Sequence, residues 1–474
     1  MVMFAPVFTL AQAITAPPAQ QVILPPEVPE SPDELLEPSP PLVPPRMVME
    51  TQEVRPLPGK LDSIPVFNSN SPEWVQKEGI LLSTFPPQGK QTPSAHLNFA
   101  FKGRFDIFSH HIIKAKTRQQ TNTMFQGIIV YNPNSQPVSL EILQGVSYLT
   151  QDALFVNLPP YLENPLGTVF AGPGSRATND VLRGRRQDSF PAVMEIPAGK
   201  SRLLMNLPIP VAKMTPSSNG RTTLIRLSSS NAVYVATLAM FAPKDAKGKE
   251  QVPTLEKWEK LLKTGSLAGP RDLAPTLPGD KVPRVIYGRV AGVAEGSQWL
   301  ARLTDQPQVD YLSIPQRGKA FSYILSTTHT GTFGTGQIQS AKMLARYPDT
   351  AYFAHGNYGV HYSLTFPLFN GDKQVREISI QMQTPVKANK SAEGLMFYDP
   401  PDNRVFFRGT VGVVYKDDDG AEQRRYVHLV QRRGQKGEAL VSLNLKPGER
   451  RDVQVEFLYP PDATPPQVLT VRSD

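Results

Sequence analysis

The stretch FFRGTVGVVYKDDDGAEQRRYVHLVQRR, Phe406 to Arg433, decides the fold class: two runs rich in β-branched and aromatic residues flank an acidic turn that ends in Gly420. It reads as a long β-hairpin. ALVSLNL, the turn LKPGER and RDVQVEFLY follow it, and in the last run Val453, Val455 and Phe457 share one face of a strand. Strands at this spacing predict a sandwich.

Earlier in the chain, NTMFQGIIVYNPNSQPVSLEILQG, Asn122 to Gly145, predicts a hairpin turning at Asn132-Pro133-Asn134-Ser135, with Val138, Leu140 and Ile142 on one face. TLIRLSSSNAVYVATLAMFAP, Thr223 to Pro243, predicts a second hairpin around Ser228 to Asn231. Between the halves, LEKWEKLLKTG places Leu255, Trp258, Leu261 and Leu262 on one face of a short helix that Gly265 stops. About three turns long, it is expected to pack on a sheet rather than lie on a membrane. No period of about 20 to 50 residues recurs three times, which disfavours a solenoid or propeller.

The expected architecture is therefore mainly β. Two β-sandwich-like halves, Ig-like or jelly-roll-like, occupy residues 60–245 and 285–474, joined by a linker at 246–284 that carries the one short helix. The 474-residue length suits two or three domains. With 48 prolines and 33 glycines, the chain is punctuated by turns, as short strands require.

The N-terminus reads differently. MVMFAPVFTL is apolar and precedes Ala11-Gln12-Ala13, a small-x-small pattern that a signal peptidase accepts, so residues 1–15 are expected to be the end of a signal peptide lacking its basic n-region. Residues 16–59 are expected to be a disordered, proline-rich tether, with 13 prolines between Pro17 and Pro58. Residues 1–59 hold seven acids and two bases, a net charge of −5; of the chain's 50 bases and 42 acids this leaves 48 and 35 in the body, a net charge of +13. A basic body on an acidic lead suits an acidic surface or polymer as neighbour.

Several chemistries are excluded or weakened. The chain has no cysteine, which removes disulfides, thiol nucleophiles, thiolate zinc and iron–sulfur ligation. No apolar run reaches the roughly 20 residues of a transmembrane helix. No Gly-x-Ser-x-Gly elbow occurs, and TGTFGTGQ, Thr330 to Gln337, lacks the Lys-Ser or Lys-Thr of a phosphate-binding loop. Asp417, Asp418 and Asp419 lack the alternating acids and distal Glu of a calcium loop and are read as a hairpin tip. His110 and His111 are adjacent and would point to opposite faces of a strand, so they are read as ordinary half-buried histidines. His355, His361 and Asp349 bracket a glycine turn, which explains that segment more simply than a metal cluster does. No metal site, cofactor or catalytic residue is assigned.

The candidate contacts are basic: Arg183, Arg185 and Arg186 in one stretch, and Arg425, His428, Arg432 and Arg433, with Arg424 and Lys436 beside them, in another. Arginine forks match carboxylate and phosphate, which points to anionic polysaccharide, lipopolysaccharide or cell-wall polymer. Nucleic acid fits poorly, since no reading motif is present.

Five segments carry a resemblance: Val54 to Pro87, His96 to His111, GNYGVHYSLTFPL at Gly356 to Leu368, Met396 to Tyr415, and Gly448 to Asp474. In these the chain resembles a mainly cyanobacterial family of uncharacterised exported proteins, domain of unknown function family 3370. The resemblance implies a signal peptide, a proline-rich lead and export to the periplasm, outer membrane or cell surface, and it brings no catalytic residues. The resulting expectation is a non-enzymatic envelope protein with a structural or binding role. Its alternatives are a carbohydrate-active hydrolase with paired carboxylates in a cleft between the halves, and a layer-forming subunit assembled through sheet edges.

Overall fold

The computed structural model describes residues 44–474 apart from 116, 118–120, 213, 391–392 and 462. The expected signal peptide and the first part of the expected tether lie outside these residues. Two sandwiches make up the molecule, and it is mainly β.

The first sandwich is organised by one strand of 24 residues, Ser218–Phe241. Its first half pairs with Phe101–Lys114 and Val138–Leu149 in one layer; its second half pairs with Met124–Tyr131 and Gly79–Ser83 in the other. The hairpin expected at Ser228–Asn231 is therefore replaced by a bend within a continuous strand. Ser-Ser-Ser-Asn contains no glycine to supply the positive φ of a tight hairpin turn. Instead the Ser229 hydroxyl donates to the Asn231 carbonyl, Asn231 Oδ1 accepts from Ala232 N–H, and the pairing slips between Ser229 and Val233. Such a bulge bends the strand without reversing it.

The other expected hairpin is also corrected. Met124–Tyr131 pairs with Ser201–Ile209, while Val138–Leu149 pairs with Val193–Ile196, so the two strands lie in opposite layers. Asn132 makes the crossing. Its buried side chain donates to the carbonyls of Gln136, Ile196 and Pro197 at 2.8, 2.9 and 3.2 Å and accepts from Asn134 N–H at 2.8 Å. Val138, Leu140 and Ile142 do share the buried face.

The second sandwich repeats this device 238 positions on. Asn370 links His361–Phe369 to Arg376–Gln383, donates to the carbonyls of Gln374 and Leu445 at 2.8 Å each, and accepts from Asp372 N–H at 2.9 Å. Backbone N–H groups of Asn132 and Asn370 bond Lys200 O and Glu449 O, which follow the left-handed Gly199 and Gly448. Replacing either asparagine strands at least two carbonyls. Asn132→Ala and Asn370→Ala are each expected to cost about 2–4 kcal/mol in a denaturant melt, and a loss below about 1 kcal/mol would show that the arch does not depend on the amide.

A seven-stranded and a five-stranded sheet form the second sandwich, with Tyr362, Phe366, Phe457, Ile380, Leu443 and Val471 among the side chains between them. The hairpin Val405–Lys416 to Glu422–Arg432 is present as expected, turning at Asp417–Gly420 with φ of 85° at Gly420.

The sandwiches exchange strands. Ala291–Glu295 and Ala341–Arg346 extend a sheet of the first, whereas Tyr161–Glu163 pairs with Glu422–Arg432 in the second. Arg46–Thr51 and Glu53–Arg55, within the segment expected as tether, are strands that pair with Gly394–Asp399 and Ala320–Leu325.

Two α-helices are present among the described residues. α1 (Pro173–Leu182) packs between the sandwiches through Ala177 and Val181. α2 (Leu255–Thr264), the helix expected from its spacing, lays Trp258 and Leu262 on the outer face of the first sandwich. A Cβ on Gly127 would approach the Trp258 ring to 2.8 Å, so a glycine is needed beneath the indole. Neither helix is long and apolar enough to cross a membrane.

Candidate functional site

The basic residues separate into two groups with different surroundings. Arg183 follows α1; its Nε donates to Asn179 Oδ1 at 3.1 Å, its Nη atoms to the carbonyls of Pro165 and Asn164, and its guanidinium lies 4.0 Å from the Tyr426 ring centre. Arg185 bonds Asp180 at 3.1 Å and Leu166 O at 3.2 Å, and Arg186 bonds Phe190 O at 2.7 Å. Arg425 pairs with Glu163 and Arg424 with Glu456. These side chains brace the segment Tyr161–Leu166 against α1 and the long hairpin, and their donors are directed at protein acceptors.

His428, between the two groups in sequence, is wholly buried and has no hydrogen-bond partner at either ring nitrogen among the described residues. Burial, with the Arg408 charge, holds its pKa down to about 4, so the ring is neutral and unavailable as a cationic contact.

The second group stands at the far end of the hairpin. Arg432 is exposed, and among the described residues its guanidinium has no acceptor. Arg433 lies 3.6 Å from Asp402 and 5.6 Å over the Tyr398 ring, and Lys436 reaches Glu50 at 2.5 Å. Arg46, Arg404 and Arg472 also point here, pairing with Asp399, Asp402 and Glu50. Five cations thus share three carboxylates and Arg432 stands beside them, leaving this end of the molecule positive. Arg46, Arg404 and Arg472 were not anticipated from sequence; the pairing of Arg46–Thr51 with Gly394–Asp399 brings Arg46 here and sets Glu50 where Arg472 reaches it.

Between the sandwiches runs a line of buried charge. Asp106 contacts Arg104 and lies 3.7 Å from Arg226; across the seam His361 Nε2 is 4.0 Å from Glu456, which Arg424 also holds. Burial raises Asp106 and Glu456 above the usual carboxylate range, and it lowers His361 to about 4. The adjoining cavity is lined by Asn68, Arg226, Ser297 and Asn357 beside Val181, Leu224 and Leu458, and it leaves space for about one water molecule. Among the described residues Asn68 Oδ1 and Arg226 Nη2 have no hydrogen-bond partner and could hold that water.

The other sequence candidates disperse. His110 bonds Thr222 at 2.8 Å, and His111 bonds Ser69 at 2.9 Å and Pro72 O at 2.7 Å. His355 packs on Tyr287, His361 lies in the seam, and Asp349 pairs with Arg271 at 2.7 Å. Asp417 and Asp418 stabilise the hairpin tip, the latter by bonding Asn444 and Arg451. Gln337, in the glycine-rich loop, grips both backbone groups of Leu57, at 2.8 and 2.7 Å. Among the described residues no three His, Asp or Glu side chains converge as a metal site.

Comparison with known proteins adds one firm match. A family profile described as "Protein of unknown function (DUF3370)" matches residues 52–473. No curated protein matches the sequence. Among solved structures, the chain is similar to Lac15 from a marine microbial metagenome (10% identity, 85% of this chain and 62% of that one, TM-score 0.11). It is also similar to Fet3p, a multicopper oxidase that functions in iron import (8%, 76% and 53%, TM-score 0.12), and to the Macrobrachium rosenbergii nodavirus (9%, 97% and 98%, TM-score 0.12). The chain thus spans less than two thirds of the first two, and all three likenesses are too slight to carry a fold or an activity across.

Proposed function

The chain belongs to the family described as protein of unknown function DUF3370, and from that premise we propose that it is an exported, non-enzymatic protein of a bacterial envelope that binds anionic envelope polymer through the cationic end of its second sandwich. The observation that supports this reading is the excess of cations around Arg432, whose guanidinium stands exposed while Arg183, Arg185 and Arg425 are engaged in holding the fold. Arginine forks there suit the phosphates and carboxylates of lipopolysaccharide, acidic polysaccharide or wall polymer. The proline-rich, acidic lead would act as a spacer between this body and its attachment in the envelope.

Co-sedimentation of the full chain with purified peptidoglycan and outer-membrane polysaccharide across a salt series tests this. Saturable binding that weakens with salt is expected, as screening shortens the reach of surface charge. Arg432→Ala with Arg433→Ala is expected to weaken it up to about 30-fold, at up to about 1 kcal/mol for each cation. No binding to either polymer at low salt would overturn the reading.

A further inference from the structure

The strands Arg46–Thr51 and Gly394–Asp399 form a two-stranded ribbon that stands apart from the larger sheets. Its inner face is well covered: Leu395 and Phe397 are fully buried against Ile324, Phe333 and Val468. Its outer face is not. Register places Met47 opposite Tyr398 and Met49 opposite Met396, so these four side chains share that face. Met47 is 60% exposed and Met49 50%, with Met396 and Tyr398 half-buried. A strand that alternates buried and exposed positions ordinarily places polar residues outward, and here it places methionine.

Around this apolar strip stands the cationic end already described, with Arg433 over the Tyr398 ring and Arg432 next to it. The chain enters through Pro44 and Pro45 directly into Arg46, so residues 1–43 are joined to the molecule at this same end. We propose that the ribbon is a membrane-surface contact, with Met47, Met49, Met396 and Tyr398 entering the headgroup–acyl boundary of an anionic lipid surface while Arg432 and Arg433 engage its phosphates. This rests on the proposed envelope role and names which anionic partner this end takes. A hydrated polysaccharide has no use for two exposed methionines, whereas unbranched, polarisable thioether side chains insert among acyl chains at little steric cost. The combination of a shallow apolar strip with a basic rim is that of an interfacial contact, and each basic residue near an anionic surface adds to it.

The test uses the full chain, sedimented with vesicles of an equal mixture of phosphatidylglycerol and phosphatidylcholine, with vesicles of phosphatidylcholine alone, and with purified peptidoglycan. Binding to the anionic vesicles and not to phosphatidylcholine alone is expected. Met47→Ser with Met49→Ser should weaken it roughly tenfold through lost apolar contact, and Arg432→Ala with Arg433→Ala about 30-fold through lost charge. Met47→Leu with Met49→Leu should bind as the unaltered chain does, and the thermal melts of all three variants should coincide with it, which separates lost contact from lost fold. Vesicle binding that is absent, or indifferent to the methionine-to-serine change, overturns the ribbon. If peptidoglycan still binds in that case, the polymer reading survives alone; if neither partner binds, both readings fall.

Discussion

A chain shortened to begin at Lys60 is expected to lose the cooperative fold of its second sandwich, whereas a chain beginning at Pro44 keeps it. The sixteen residues between carry structure out of proportion to their composition. Glu53–Arg55 adds a parallel edge to Ala320–Leu325, and buried Gln52 accepts from the Ser322 hydroxyl at 2.8 Å. Arg55 lies 3.8 Å over the Phe321 ring. Leu57, 1% exposed, plugs the core beside Trp299 and Phe321, and Trp299 Nε1 donates to Pro58 O at 2.8 Å. Leu57→Ala alone should cost about 2–5 kcal/mol by the lost burial and the cavity left behind. Removing the plug, both strands and the partner of Trp299 together approaches the whole stability of a domain, about 5–15 kcal/mol. Urea unfolding followed by tryptophan fluorescence reads this directly. Coincident transitions for the two shortened chains would show that the segment only decorates the surface.

That segment also shows what the sequence leaves hidden. Its prolines, at 44, 45, 56 and 58, are the composition of a spacer, yet the six residues between Pro45 and Gln52 contain none and pair edge to edge with a distant strand. Local composition cannot register a partner some 350 residues away. The long hairpin at Val405–Arg432 and helix α2 were legible because both are local, one set by alternation around a glycine turn, the other by helical spacing. The arches at Asn132 and Asn370 mimic hairpins locally, because what separates an arch from a hairpin is the layer each strand joins. The two arches share N-x-[ND] followed by a distant P-[AG] turn, but their asparagines lie 238 positions apart, far beyond any solenoid spacing. Helix α1 begins Pro-Gly-Ser and buries Thr178, Asn179 and Asp180 along with Ala177 and Val181, so it lacks an apolar stripe to announce it. As for the arginines, sequence located the basic stretches and no more. Which of them are spent on Glu163, Asp180 and backbone carbonyls is decided by tertiary pairing alone.

Acid is expected to unfold the protein above the pH at which ordinary carboxylates titrate. Six of its seven histidines are held neutral by burial: His96, His111, His361 and His428 fall to about 4, and His110 and His355 to about 3, from an ordinary 6.5. Below 6.5 the unfolded chain takes up these protons and the folded chain refuses them, so stability is fully present above that pH and falls as pH drops toward 4. Each histidine contributes a slope approaching about 1.4 kcal/mol per pH unit, so six acting together exhaust a stability of about 5–15 kcal/mol within one to two units. Glu73 works in the opposite sense. Buried beside Arg289, which pulls it down, it is nevertheless pushed up to about 8 by desolvation, and its proton favours the folded form between 4.5 and 8. Asp106 and Glu456, which burial also raises, act in the same sense as Glu73, so six histidines stand against three carboxylates. Denaturant midpoints should therefore be nearly level down to about pH 7 and collapse between about pH 6 and 4.5. His428→Leu, which removes a ring with neither nitrogen bonded among the described residues, should reduce the proton uptake on unfolding by about one at about pH 5. A midpoint that holds steady to about pH 4.5 would mean that the buried imidazoles gain protons in place, and that the sandwiches open locally to admit water without unfolding.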